Sequence, residues 1–207
     1  FRIPKGIDFS VKATGPSVRL ALIAKPRFTE WGEVYADVAD GVITPPEGTT
    51  MIAVINRFSG RYAKPRVGFL HGWGRWEGAF ATTISHDCHN LTVFGRGRVQ
   101  MAQAANAVID MGGGMAVVQQ GRVMSVLPLP IAGLVSVAPL ENVAAAFADL
   151  RDAMGRVVAW EPPFLTFKAL VGATLACNSG PHQTDLGIAD PQAGILMPSP
   201  VLEDGLC

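Results

Sequence analysis

The chain has little charge, few cysteines and no long uninterrupted apolar run. Charged residues make up 16% of its 207 positions and cancel, 17 basic against 17 acidic. With no net positive field and no cluster of Lys and Arg, the electrostatic attraction that drives binding to nucleic acids or anionic membranes is missing. Neither partner is expected. The cysteines are three, Cys88, Cys177 and Cys207. Their odd number and wide spacing argue against a disulfide framework and for a reducing, cytoplasmic setting. In that setting the sequon Asn90-Leu91-Thr92 is accidental. The longest uncharged stretch, Val123 to Leu140, is broken by Pro128, Pro130, Gly133 and Pro139, so it reads as buried backbone rather than a membrane-spanning helix. No signal peptide is visible. Phe1 is not an ordinary translation start, and the chain reads as a fragment or a processed product.

What is abundant is apolar side chain, 49% of the sequence, which excludes a disordered chain and suits a compact protein with large buried surfaces. Short β-type runs separated by turn signals fill the first part: Val18 to Ala24, Gly32 to Val38 and Gly41 to Thr44, closed by Pro45-Pro46-Glu47-Gly48. We read residues 1–48 as a small strand-rich N-terminal subdomain and 49–207 as the main domain. Met51 to Asn56, Arg66 to Leu70 and Ala79 to Ile84 then supply strands of a central sheet. A helix is expected over Val99 to Met111, stopping at Gly112, where a residue without Cβ takes a left-handed cap. A second runs from Pro139 to Met154, burying Leu140, Val143, Ala144, Phe147, Leu150 and Met154 and ending at Gly155. Between them, Met115 to Gln119 and Arg122 to Leu127 flank a hairpin turn at Gln120-Gly121. After Gly172 the tail is rich in Gly, Pro, Ser, Asn and Asp, and reads as an ordered loop packed on something, or as partly mobile. The fold class is α+β, a layered central sheet with two main helices.

Histidine is scarce, four in all, yet two stand in Ser85-His86-Asp87-Cys88-His89-Asn90. Two imidazoles and a carboxylate are able to bind a divalent metal, or one His oriented by Asp is able to move a proton. Equally, the segment is a polar knot in which Asp and Asn cap backbone N–H groups and both histidines satisfy buried carbonyls. Cys88 as a nucleophile is disfavoured, because side chains adjacent in sequence rarely face one another as nucleophile and base must. Gly112-Gly113-Gly114 is better read as a helix cap than as a phosphate cradle, since a helix ends there and a strand follows. His71-Gly72-Trp73-Gly74-Arg75-Trp76 is either a base-stacking surface or, better, a packing corner.

The segment Ala79-Phe80-Ala81-Thr82-Thr83-Ile84-Ser85-His86-Asp87-Cys88-His89-Asn90 resembles the signature of bacterial-type adenine deaminases, in which a small-residue run leads into His-Asp-Ser-His-Asn. Gly112-Gly113-Gly114, Val117-Val118, Gly121, the run Leu127 to Leu134, Ser136, Pro163-Phe164, Phe167 and Asp185-Leu186-Gly187 follow in that family's order. The resemblance covers roughly Met51 to Asp190. It departs at Cys88, where the pattern has Ser, at Phe58, where His is expected after Arg57, and over Leu175 to His182. The resemblance implies the C-terminal domain of an amidohydrolase that converts adenine and water to hypoxanthine and ammonia with a divalent metal, Mn or Fe. It implies that the metal lies in a separate amidohydrolase barrel whose His ligands are not found here, so that this chain alone is inactive and assigns no metal ligands of its own. His86, Asp87 and His89 then become accessory catalytic candidates, Ser85 and Asn90 substrate-binding candidates, with adenine and the barrel as partners and a homo-oligomer as the assembly. The alternative is a non-catalytic binding or assembly module derived from that family.

Overall fold

The computed structural model describes residues 3, 5–26, 28–58, 64–86, 88–160, 167, 170, 172–175, 177 and 179–202. Asp87, Pro163, Phe164 and Cys207, singled out above, lie outside them. Most of the described chain forms strands. The first part supplies β1 (Ser17–Ala24), β2 (Glu30–Ala39) and β3 (Val42–Ile43). β4 (Thr49–Ile55), β5 (Arg66–His71), the short β6 (Arg75–Trp76), β7 (Gly78–Thr82) and β8 (Leu91–Gly95) follow. After helix α1 (Arg98–Asp110) come β9 (Gly114–Gln119), β10 (Arg122–Pro128) and helix α2 (Leu140–Val157). The tail adds β11 (Val158–Ala159), β12 (His182–Gln183), β13 (Ile188–Asp190), β14 (Ile195–Met197) and β15 (Val201–Leu202).

Ten strands make one sheet in the order β10-β9-β7-β8-β4-β5-β1-β2-β3, with β15 added beside β1. Its pairings are antiparallel except β1 with β5, which run parallel through Ile23↔Leu70 and Ala24↔His71. Hydrogen bonds therefore cross residue 48. With helices α1 and α2 and one large mixed sheet, the chain is α+β.

The central strands β4, β7 and β8 are buried at every position, because apolar clusters cover both faces of the sheet there. Alternation divides β4 between them: Met51, Ala53 and Ile55 join one cluster with Met101, Ala104, Ala105 and Val108 of α1. Ile52 joins the other with Leu150, Ala153, Met154 and Val157 of α2. α1 stops as its glycines predict: Gly112 has φ +75° and its N–H donates to Ile109 O at 3.0 Å. The β9–β10 hairpin also forms as expected, with Gln120 at φ +50° and Gly121 at φ +75°.

Two expectations need correction. α2 does not end at Gly155 but runs to Val157, because Met154 and Val157 are both buried and draw the last turn onto the sheet. Nor does its first half bury an apolar stripe: Leu140 is 78% and Phe147 39% exposed, and Ala144 is exposed. β10 is the last strand of the sheet, so the start of α2 has no further strand to cover. Strand β8 has no counterpart in the sequence reading, although it sits between β4 and β7 at the centre.

Candidate functional site

Strand register brings four chain segments to one end of the sheet. Ile55↔Leu91 ends the β4–β8 ladder, Thr82↔Thr92 ends β7–β8, Thr82↔Met115 ends β7–β9 and Gly114↔Pro128 ends β9–β10. The residues just beyond these pairs, Asn56-Arg57, the 83–90 loop, Gly113 and the loop after Pro128, are neighbours as a result. The tail reaches the same end, since the Asn56 side-chain amide donates to Asp185 Oδ2 at 2.7 Å.

Arg57 is the hub. It is 8% exposed. Its Nε donates to His89 O, its Nη2 to Ala132 O at 2.6 Å, and its backbone N–H to Asn90 Oδ1 at 3.3 Å. The guanidinium lies 4.4 Å from the Phe58 ring centroid. Burial pushes the Arg57 pKa down, and the nearby Cys88 sulfur opposes that shift. Thr83 acts beside it: its hydroxyl donates to Gly133 O at 2.6 Å and accepts from Gly114 N–H at 2.8 Å. At Gly133, with φ +73°, a Cβ would fit only tightly, standing 3.0 Å from both Arg57 Nη1 and Thr83 Oγ1.

Within the loop, Ser85 and Asn90 are buried. Thr92 Oγ1 donates to Ser85 Oγ at 2.8 Å, and Thr174 Oγ1 donates to His86 O at 3.1 Å. The 2.7 Å bond between Ser85 and Thr174 must then have Ser85 as donor, giving a directed chain of three hydroxyls that ends on the backbone of His86. Asn90 Nδ2 donates to Cys88 Sγ at 3.2 Å. His89 adopts φ +48°, and its N–H closes the turn onto Ser85 O at 2.6 Å. Ser85 N–H donates back to His89 Nδ1 at 3.3 Å, so the neutral imidazole carries its proton on Nε2. The His86 and His89 ring centroids are 5.1 Å apart, with His86 and Cys88 exposed. The loop thus presents imidazoles on a hydroxyl and guanidinium base.

The adenine deaminase C-terminal domain family matches residues 26–194. This chain belongs to that family. Adenine deaminase 2 of Agrobacterium fabrum is 63% identical over 196 residues, 95% of this chain and 33% of the relative. Adenine deaminase 2 of Rhizobium meliloti is 60% identical over the same length, and adenine deaminase of Klebsiella pneumoniae is 48% identical over 186 residues. The chain spans about a third of the length of these curated relatives.

Membership in the adenine deaminase C-terminal domain family raises the question of a metal, and the described residues do not fit one. Among them no group of three or more His, Cys, Asp or Glu is placed to hold an ion, and His89 Nδ1 already accepts from Ser85. Elsewhere, Trp73 and Trp76 are 1% and 4% exposed, Trp76 Nε1 donates to Trp73 O, and Trp76 stacks on Phe94. That segment is a packing corner, though Trp76 and Arg75 also edge a cleft of about 650 Å³ with Arg96 and Glu77. No helix among the described residues is long and apolar enough to cross a membrane.

Arg57, Thr83 and Thr174 were absent from the sequence-derived candidates. Arg57 had a readable signal, a single cation directly after the apolar strand run Met51 to Ile55 and its Asn56. Thr174 had none, because its place depends on how the tail folds back.

Proposed function

We propose that this chain is the C-terminal part of an adenine deaminase, an enzyme that hydrolyses adenine to hypoxanthine and ammonia, and that the 83–90 loop borders the purine site. Family membership and the names of the relatives support the reaction. The observation that carries the placement is the imidazole pair: His89 is held in a left-handed turn by its bonds with Ser85, and its ring lies 5.1 Å from that of the exposed His86. In this reading His86 and His89 are the purine-facing groups, and Asp87 stays an accessory catalytic candidate on its sequence position. Ser85 and Asn90, proposed above as substrate-binding, act from beneath by fixing the turn.

The catalytic metal, Mn or Fe, supplies the activated water of hydrolytic deamination and belongs to polypeptide outside these 207 residues, as the resemblance implies. We read the sheet with a helix cluster on each face as a layered domain, the assembly as a cytoplasmic homo-oligomer, and residues 1–48 as a unit added to the sheet edge. The test is ammonia release from adenine in the presence of Mn, measured on the polypeptide its gene encodes and on residues 1–207 alone. Activity is expected in the first only. Turnover by the 207-residue chain alone would overturn the placement of the metal.

A further inference from the structure

The exposed apolar side chains are not scattered. Of fourteen large hydrophobic residues exposed among those described, seven fall between Val123 and Phe147: Val123, Met124, Ile131, Val135, Val137, Leu140 and Phe147. Val137 and Leu140 are 77% and 78% exposed. Between them and the α2 helix runs a groove of about 240 Å³ whose walls include Leu127, Pro130, Val143 and Ala146. No Asp, Glu, Lys or Arg occurs from Val123 to Leu140. A contiguous apolar face of this kind is costly in water and marks a surface that is covered.

We infer that this face, formed by residues 129–139 and the first half of α2, is where a further domain of the same polypeptide docks. The inference rests on the reading that this chain is accompanied by more polypeptide, and it adds which surface meets it. Three observations favour that occupant. About two thirds of each relative's length lies outside the region this chain matches, so a large folded partner on one chain is available. The face carries one charge, Glu141 in the first turn of α2, and none from Val123 to Leu140, which selects a largely apolar partner surface rather than an acidic or basic ligand. And the face is continuous with the candidate site. Ala132 O accepts from Arg57, which holds the 83–90 loop, and Gly133 O accepts from Thr83 within that loop. Docking here puts His86 and His89 at the seam between the two bodies, where a ligand is enclosed from both sides. The same geometry explains why α2 overhangs the sheet: its first half is built to be buried by something other than its own domain.

The experiment places a photo-crosslinking benzoylphenylalanine at Leu140, and separately at Val137, in the polypeptide as its gene encodes it. A control carries it at Val99, 73% exposed on α1. The expected result is crosslinks within one chain from positions 140 and 137 to peptides outside these 207 residues, and none of that kind from position 99. Crosslinks to a second copy instead, no crosslink at either position, or a gene that encodes nothing beyond this sequence would each overturn the inference. Ammonia release from adenine, assayed on the unsubstituted protein, judges the deaminase reading separately. Docking with no deamination sinks the function and leaves the surface standing; deamination without these crosslinks does the reverse.

Discussion

At the scale of single residues, Arg57 does most to shape the site, because one guanidinium satisfies carbonyls from two loops. Replacing it by Ala removes charged donors from His89 O and Ala132 O, and we expect a loss of about 3 kcal/mol in urea unfolding. Arg57→Lys should recover less than half, since one ammonium does not reproduce the fork that reaches both carbonyls. Equal stability of the Lys variant and the parent would refute the two-carbonyl role. Gly133→Ala is expected to cost about 1 to 3 kcal/mol, the strain of a left-handed non-glycine residue, with the new methyl pressed on Arg57 and Thr83. The site was half legible in the sequence. His86, His89, Ser85 and Asn90 stand out because polar residues packed that densely between apolar strands need a reason. What the sequence does not display is which of them face outward. Ser85 and Asn90 turn inward because Thr92, Thr174 and Arg57 offer them partners, and those partners lie up to 89 residues away.

Among the elements, α2 shows where pattern reading succeeds and where it stops. Its periodicity marks a helix correctly, yet periodicity alone does not reveal how far the supporting sheet extends. The two halves should therefore respond differently to truncation. Leu150→Ala, fully buried between helix and sheet, is expected to destabilise the 207-residue chain by about 2 to 5 kcal/mol, and Leu140→Ala by no more than about 0.5 kcal/mol. Denaturant midpoints of the two variants measure this directly, and matching losses would mean that the helix packs along its whole length. Strand β8 was missed for a related reason. Leu91 to Gly95 is a five-residue run directly after a loop of polar residues, and its strand character comes from being flanked by β4 and β7. The hairpin at Gln120-Gly121 and the cap at Gly112 were legible because their signals are local.

For the whole molecule, the tail decides how the sheet is completed. Asp190 takes the Trp31 indole N–H at 2.7 Å on one oxygen and the Gln192 and Ala193 N–H groups on the other. The Ala193 bond foremost, then those of Trp31 and Gln192, lowers the Asp190 pKa against the opposing effect of burial, and His182 adds to the lowering. A depressed carboxylate contributes stability that is fully present above the ordinary aspartate pKa of about 3.9 and is lost as pH falls through its lower folded value. Tryptophan fluorescence should report the tail loosening in that acid window. Asp190→Asn should flatten this limb of the stability profile, and an unchanged limb would assign the loss to other carboxyls, such as Asp8, whose pKa is also lowered. β1 is bordered on one side by β2, while its other side is shared along its length: Ile23 and Ala24 face β5, whereas Arg19 and Leu20 face β15. A strand near residue 20 thus waits for partners near residues 70 and 201. During synthesis β1 stays incompletely paired until residues 201 and 202 have left the ribosome. Nascent chains of this domain are then exposed to mispairing at β1 for longer than at any strand whose neighbours are already made.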